Sequence, residues 1–414
     1  MREPAVSRLV RWSEIRHQDR ALGLIHRALA GGRIPHAMLF HGPGGVGKEM
    51  TALALAAALL CARRERGGGA DEALFGEAPP AEVEACGECP SCHCLAAGTH
   101  PDFQLVERQL ARMHPDPAVR RTKALFLGVD VIRHFVIDAT GRRPALSSSR
   151  VFVLRDAERM NEEAQNALLK TLEEPPGRAH LILLSSSAER LLPTVRSRCQ
   201  SVEFGLLPRG FIETELAQAA GVTDASAAAL AALAGGSLGA ARRWASAGVA
   251  AEIELVGELL AGVDRGGPEA TAKALLERAA ELAPRLHGRE IVDDGGGESD
   301  AEAADGMDEG SVRTAKSSSA SVPTDELRAA VGLVLAICAT LLRDALIMRE
   351  RADSALVLLP PASRRSAALA AAFSGGLEEA IRGVAHAEAM LERNVAPQLC
   401  IERMLLTLQG VPLR

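Results

Sequence analysis

The chain has 414 residues, too many for one ordinary core, and 47% of them are hydrophobic, enough to build two or three domains. A net charge of -6 gives no global pull on nucleic acid. With no Tyr, 9 Phe and 2 Trp there are few rings to stack on bases, so the composition argues against a stand-alone single-strand binder.

The N-terminal MREPAVSRLVRWSEIRHQDR lacks the apolar segment of a signal peptide. No apolar run reaches the length of a membrane span, ALALAAALL at 52–60 being far too short, so a cytoplasmic protein without a membrane partner is expected. AMLFHG at 37–42 predicts a strand running into a glycine loop, and EMTALALAAALLC at 49–61 a helix whose N-terminus faces that loop. FQLVE at 103–107, RVFVLRD at 150–156, HLILLSS at 180–186 and SVEF at 201–204 predict further strands. Between them, NEEAQNALLKTLEEPP predicts a helix stopped at Pro175 and Pro176. Alternating strands and helices define an α/β core with a parallel sheet. Beyond 205 the pattern is all helical: a small bundle to about 247, broken by GGSLG at 235–239, then Ala/Leu-rich helices to 414. Residues 293–325, rich in Gly, Ser and acids, interrupt these helices and predict a disordered loop within one domain.

The stretch HGPGGVGKEM at 41–50 fits G-x-x-x-x-G-K-[ST] except at its last position. Gly42, Gly44, Gly45 and Gly47 allow backbone N–H groups to turn toward phosphate oxygens, and Lys48 adds a point charge. Glu49 stands where a hydroxyl should hold Mg²⁺, and Thr51 comes two residues late on another side of the helix. The metal-holding acid should follow the strand 151–154, but that position is Arg155; Asp156 comes one place later and could serve only through a bulge. Weak or absent ATP binding without turnover is the expectation.

Cys86, Cys89 and Cys92 form C-x₂-C-x₂-C, with Cys61 at the end of the preceding helix. Four thiolates suit a closed structural Zn²⁺ site. An iron–sulfur cluster accepts the same spacing but prefers C-x₃-C-P at its end, and Cys94 lies only two residues after Cys92. Cys94, His93 and His100 are alternative fourth ligands. Cys199, Cys338 and Cys400 stand alone in apolar settings and read as core residues.

These motifs together resemble one family. RIPHAMLFHGPGGVGK, CGECPSC followed by AGTHPDF, NALLKTLEEPP, LLPTVRSRCQ, GGSLG and N-x-x-P-Q-L-C-I-E-R-M occur in the order found in delta-prime subunits of bacterial DNA polymerase III clamp loaders, members of the AAA+ superfamily. The resemblance implies a RecA-like AAA+ core over 1–205 with a zinc module at about 61–94, a helical lid over 206–248 and a helical collar over 249–414. It makes Cys61 the fourth zinc ligand. It implies a non-hydrolysing member of a hetero-pentameric ring with gamma/tau-type and delta-type subunits, which places the sliding clamp on primer-template DNA within the polymerase holoenzyme. Arg198, in Ser197-Arg198-Cys199, is then the arginine finger reaching a neighbour's ATP site, and Arg196 a decoy. Gly239 stands where hydrolysing relatives carry an Arg. The sequence departs from the family in the long gap 62–85 and in the acidic insertion 293–325. The competing expectation is an active gamma/tau-type ATPase, which needs Ser or Thr at 49, Asp at 155 and Arg at 239. A pure DNA-binding or zinc-finger module fits the AAA+ pattern and the negative charge poorly.

Overall fold

A computed structural model describes residues 8–63, 84–121, 126–288, 323–350, 356–359, 368–369 and 376–408. The chain separates into two compact units, Met1–Pro208 with Gly236–Gly239, and Arg209–Gly235 with Ala240–Arg414. The boundary expected at 248/249 between lid and collar falls inside the second unit.

The first unit is built on five parallel strands: β1 (Ala37–His41), β2 (Phe103–Val106), β3 (Arg150–Leu154), β4 (Ala179–Ser185) and β5 (Gln200–Glu203), in the order β2-β3-β4-β1-β5. Each coincides with an apolar run of the sequence. The central strands are buried on both faces, as a sheet covered by helices requires. Leu39, Phe152, Leu154, Leu181 and Leu183 share one core with Val131, Ile132, Val136, Leu168 and Leu172. Their neighbours Met38, Phe40, Val151, Val153, Ile182 and Leu184 are buried as well, and α2 (Lys48–Leu60) approaches β3 and β4 without contributing to that first core. α2 is buried from Thr51 to Leu60, so its apolar residues need no stripe. α1 (Asp19–Ala30) precedes β1 and buries Ala21, Ile25 and Leu29, an i, i+4, i+8 face.

α3 (Pro90–Ala96) carries part of the cysteine cluster, and α4 (Glu162–Glu173) joins β3 to β4. The Asn161 side chain caps α4 by accepting the Ala164 N–H at 3.0 Å, and Pro175 and Pro176 prevent its continuation. A single short turn, α5 (Pro193–Arg196), leads into β5.

The second unit is helical: α6 (Arg209–Ala217), α7 (Asp224–Leu233), α8 (Leu238–Ser246, whose first two residues belong to the first unit), α9 (Val249–Ala261), α10 (Val263–Leu286, broken at Gly267), α11 (Thr324–Arg349), α12 (Leu377–Glu392) and α13 (Pro397–Leu408) are the helices among its described residues. Glu252 is almost fully buried, and Arg278 and Arg285 both bond it, at 2.7 and 2.6 Å. A lone carboxylate there would be strongly destabilising. Asp344 is fully buried and accepts the N–H groups of Leu358 and Leu359.

Two expectations change here. The predicted acidic loop 293–325 lies outside the described residues up to 322; its last residues are ordered, Thr324 and Asp325 forming the first turn of α11. The chain does contain an apolar run of spanning length: α11 is long and apolar enough to cross a membrane. It is uncharged from Ala329 to Leu342. Val331, Val334, Leu335, Cys338, Leu341 and Leu342 are buried, and α11 packs against α10, α12 and α13, the arrangement of a core helix.

Candidate functional site

The glycine loop leaves the carboxyl end of β1, between β4 and β5, where open α/β sheets place their ligands. Its shape depends on missing side chains. Gly42 has φ 130°, and a Cβ there would lie 2.2 Å from the Phe204 carbonyl oxygen. Gly45 has φ 71°, and a Cβ would meet Ser237 Oγ at 2.5 Å and Gly239 Cα at 3.0 Å. Segment 236–239 is thus seated on the loop: Gly239 N–H donates to Gly45 O at 2.9 Å, and Ser237 Oγ–H to Gly44 O at 2.7 Å. A Cβ at 239 would lie 2.8 Å from Gly45 Cα, so this arrangement has no room for a side chain at that position. Buried Gln18 fastens the other side, donating to Val46 O and Gly205 O and accepting the Gly205 N–H.

Lys48 is buried and donates to Gly42 O and Pro43 O, both at 2.5 Å. Burial lowers its pKa, while the carboxylates of Glu158 and Asp156 pull it back up. Asp156 is exposed in a left-handed conformation, φ 50°, one place beyond the strand's expected metal-holding position. The Thr51 hydroxyl donates to Gly47 O at 2.9 Å inside α2. It takes no part in the loop's open face.

The positions that should hold Mg²⁺ are joined to each other. Arg155 Nε donates to Glu49 Oε2 at 2.9 Å, Arg155 Nη2 donates to Glu49 Oε1, and Arg155 Nη1 donates to Glu107 Oε2 at 2.8 Å. Burial lowers the guanidinium pKa, but the two carboxylates more than offset it, and the net shift is upward. The Glu49 charge is neutralised by Arg155. The donor set does not fit Mg²⁺: a guanidinium stands where a metal-holding carboxylate belongs.

The second cluster lies at the far end of α2. Cys61, Cys86, Cys89 and Cys92 place their sulfurs within 4.8 Å of one another. Cys86 Sγ and Cys92 Sγ are 3.9 Å apart. Tetrahedral Zn–S bonds of about 2.3 Å imply S···S separations of about 3.8 Å. The Cys86 N–H points at Cys61 Sγ and the Cys92 N–H at Cys89 Sγ, at 3.4 and 3.5 Å, as for thiolates. Burial raises the Cys89 pKa, but backbone N–H groups of Cys92 and Ala62 and the neighbouring thiols bring it down to about 7. Burial pushes Cys92 up. The donor set fits a closed four-thiolate metal site. His100 is engaged elsewhere. Its Nδ1 accepts the Asp102 N–H at 3.0 Å and its Nε2 meets Ser91 Oγ at 2.8 Å, while Ser91 donates to Leu60 O. The HPDF segment therefore ties the cysteine module to the end of α2. Buried Asp102 completes the tie by accepting the N–H groups of Ala145, Leu146 and Ser147.

The Ser-Arg-Cys tripeptide divides between surface and core. The Cys199 thiol packs against the main hydrophobic cluster and burial raises its pKa to about 12, which leaves it inert. Arg198 is one-third exposed; its Nε bonds Glu173 Oε1 at 2.5 Å, its Nη2 bonds the same oxygen, and Nη1 donates to Thr194 O at 2.9 Å. Arg196 is exposed. Cys338 and Cys400 are buried in the second unit. Sequence reasoning missed Gln18, Glu107, Glu173 and Ser237; of these, only Glu107 gave a signal, an acid ending a strand beside β3.

The parallel sheet with strand order 5-1-4-3-2 and a phosphate loop after β1, second from its edge, define a RecA-like AAA+ core followed by a helical region. Residues 17–207 match the family model described as DNA polymerase III, delta subunit. The delta-prime subunit of Pseudomonas aeruginosa is 41% identical over 171 residues, which cover 41% of this chain and 43% of that protein. The delta-prime subunit of Escherichia coli K12 is 31% identical over 210 residues, covering 51% and 54%. The gamma/tau subunit of Mycobacterium bovis is 34% identical over 197 residues, covering 48% and 29%. The matches span about half the length of the delta-prime relatives. Residues 17–207 are thus similar to DNA polymerase III delta-prime subunits over about half of those proteins' length.

Proposed function

We propose that this chain is a delta-prime-type clamp-loader subunit that turns over no ATP itself and lends Arg198 to the ATP site of a neighbouring gamma/tau-type subunit. The observation that carries the reading is the ion bridge from Arg155 to Glu49, which occupies both metal-holding positions with each other's countercharge. Without a metal to gather the β- and γ-oxygens, a triphosphate on this loop has no means of neutralising the developing charge. A guanidinium supplied in trans can do so at a neighbour's site, accelerating hydrolysis by roughly 10³- to 10⁵-fold. The one-third exposure of Arg198, on a segment anchored by Cys199, supports that assignment.

The reading extends to a zinc ion on Cys61, Cys86, Cys89 and Cys92, serving structure. It also extends to a helical lid and collar, a hetero-pentameric ring including a delta-type subunit, action on the sliding clamp and primer-template DNA through that ring, and a cytoplasmic location. The test is co-purification with gamma/tau-type and delta-type subunits, followed by ATPase assays of each separately and together. The expected result is no turnover by this chain alone and stimulation in the assembly that is lost on Arg198→Ala. Turnover by the purified chain that disappears on Lys48→Ala would favour an active gamma/tau-type ATPase instead.

A further inference from the structure

The strongest feature outside that reading is the partner of the exposed arginine. Glu173 is the last residue of α4, next to Glu174 and the two prolines that stop the helix. The end of the helix is fixed by that stop, so the Glu173 side chain has a fixed base. Its Oε1 receives both Nε and Nη2 of Arg198, and Thr194 O receives Nη1. A guanidinium has five N–H groups in one plane. Three are used here. One N–H on Nη1 and one on Nη2 have no partner among the described residues, and both nitrogens belong to the guanidinium edge that Nε does not share.

We infer that Glu173 is a positioning residue for Arg198: it grips the inner edge of the guanidinium and presents the outer Nη1/Nη2 edge for a phosphoryl group on a neighbouring subunit. The inference rests on the assignment of Arg198 as a finger. A free arginine carries rotamer entropy that must be lost on engaging a phosphate. A guanidinium already held on two sides has lost it in the isolated subunit, so its contacts to the phosphoryl oxygens are made without further ordering. The ligand edge is defined by chemistry: paired, coplanar N–H groups match two equatorial oxygens of a transferring phosphoryl group. Glu173 never touches the nucleotide in this arrangement. It acts through Arg198 alone, and Thr194 O assists by fixing the plane of the group.

The test uses the loader reconstituted with a gamma/tau-type ATPase, titrated with this chain as wild type, Glu173→Ala, Glu173→Gln and Arg198→Ala. Misplacing a catalytic group by about 1 Å costs up to about 100-fold, so Glu173→Ala is expected to lower the maximal stimulated turnover by about 10-fold. The concentration giving half-maximal stimulation should stay unchanged, which a merely structural role in assembly would not produce. Glu173→Gln keeps an oxygen acceptor at the same place and should recover most of the loss. Full stimulation by Glu173→Ala while Arg198→Ala is dead would overturn the positioning role and leave the finger standing. Full stimulation by Arg198→Ala would overturn the finger itself. A rise in half-maximal concentration with unchanged maximal turnover would assign Glu173 to assembly and also overturn the proposal.

Discussion

Arg155, the first residue after β3, and Glu49, the residue after the loop lysine, are bonded through both oxygens of the carboxylate and two nitrogens, Nε and Nη2, on one edge of the guanidinium. They are 106 residues apart in sequence and meet because α2 approaches β3. Each alone would repel what a nucleotide site needs, a cation or a phosphate; together they neutralise each other, and Glu107, the residue after β2, balances the remainder of the guanidinium. Arg155→Ala should leave two half-buried carboxylates facing each other and lower stability by about 1–3 kcal/mol, a value between those for exposed and buried pairs. Thermal unfolding of the full chain reads this as a lower Tm. An unchanged Tm would mean the bridge contributes nothing net.

Gly42→Ala tests whether the loop tolerates any side chain. The added Cβ would press on Phe204 O in a backbone conformation disfavoured for L-residues. The expected cost is about 2–4 kcal/mol. Gly44→Ala, where a Cβ meets nothing within 4 Å, is the control and should cost far less.

Metal content separates the possible ligands. The purified chain should hold about one Zn per molecule, on four thiolates. Cys61→Ser should reduce it sharply and lower Tm, because its sulfur is one of the four that converge. Cys94→Ser should keep the metal. Zinc retained at full occupancy in Cys61→Ser would remove Cys61 from the ligand set.

His100 and Asp102 make stability depend on pH in one direction. Burial lowers the His100 pKa below its usual 6.5, although the Asp102 charge opposes the shift. As pH falls below about 6.5 the unfolded chain takes up a proton that the folded chain refuses, so stability falls, by at most about 1.4 kcal/mol per pH unit for one proton. Burial raises the Asp102 pKa, but the N–H groups of Ser147, Ala145 and Leu146 reverse it and leave it below 3.8, so its contribution is lost only at still lower pH. Between pH 7 and 5 the Tm of wild type should therefore drop more steeply than that of His100→Gln. Parallel curves would show that this histidine does not set the slope.

The strands, the glycine loop and the helix over 162–173 were legible because their signals are local: short apolar runs, glycine spacing, apolar residues at helical spacing and a double proline. Missing groups were legible for the same reason, since Glu49, Arg155 and Gly239 are read one position at a time. What replaced them was not. The Arg155 bridge needs the sheet order that brings β2, β3 and α2 together, and the exclusion of a side chain at 239 needs the contact with Gly45. The apolar length of α11 was underestimated because acids crowd its first turn and Arg343 and Asp344 interrupt its second half. Glu173 gave no sequence signal, because nothing in LEEPP announces a partner 25 residues downstream.

α2 begins at Lys48 and ends at Leu60, so the phosphate loop and the thiol cluster are opposite tips of one rod of about 20 Å. Leu60 O is gripped by Ser91 and Ser147, and Cys61 is itself one of the four thiols. A metal held by the thiols at one tip would therefore brace the other: oxidative or chelating damage there would slacken the seat of Lys48 and of Glu49, although no atom of the loop had been touched.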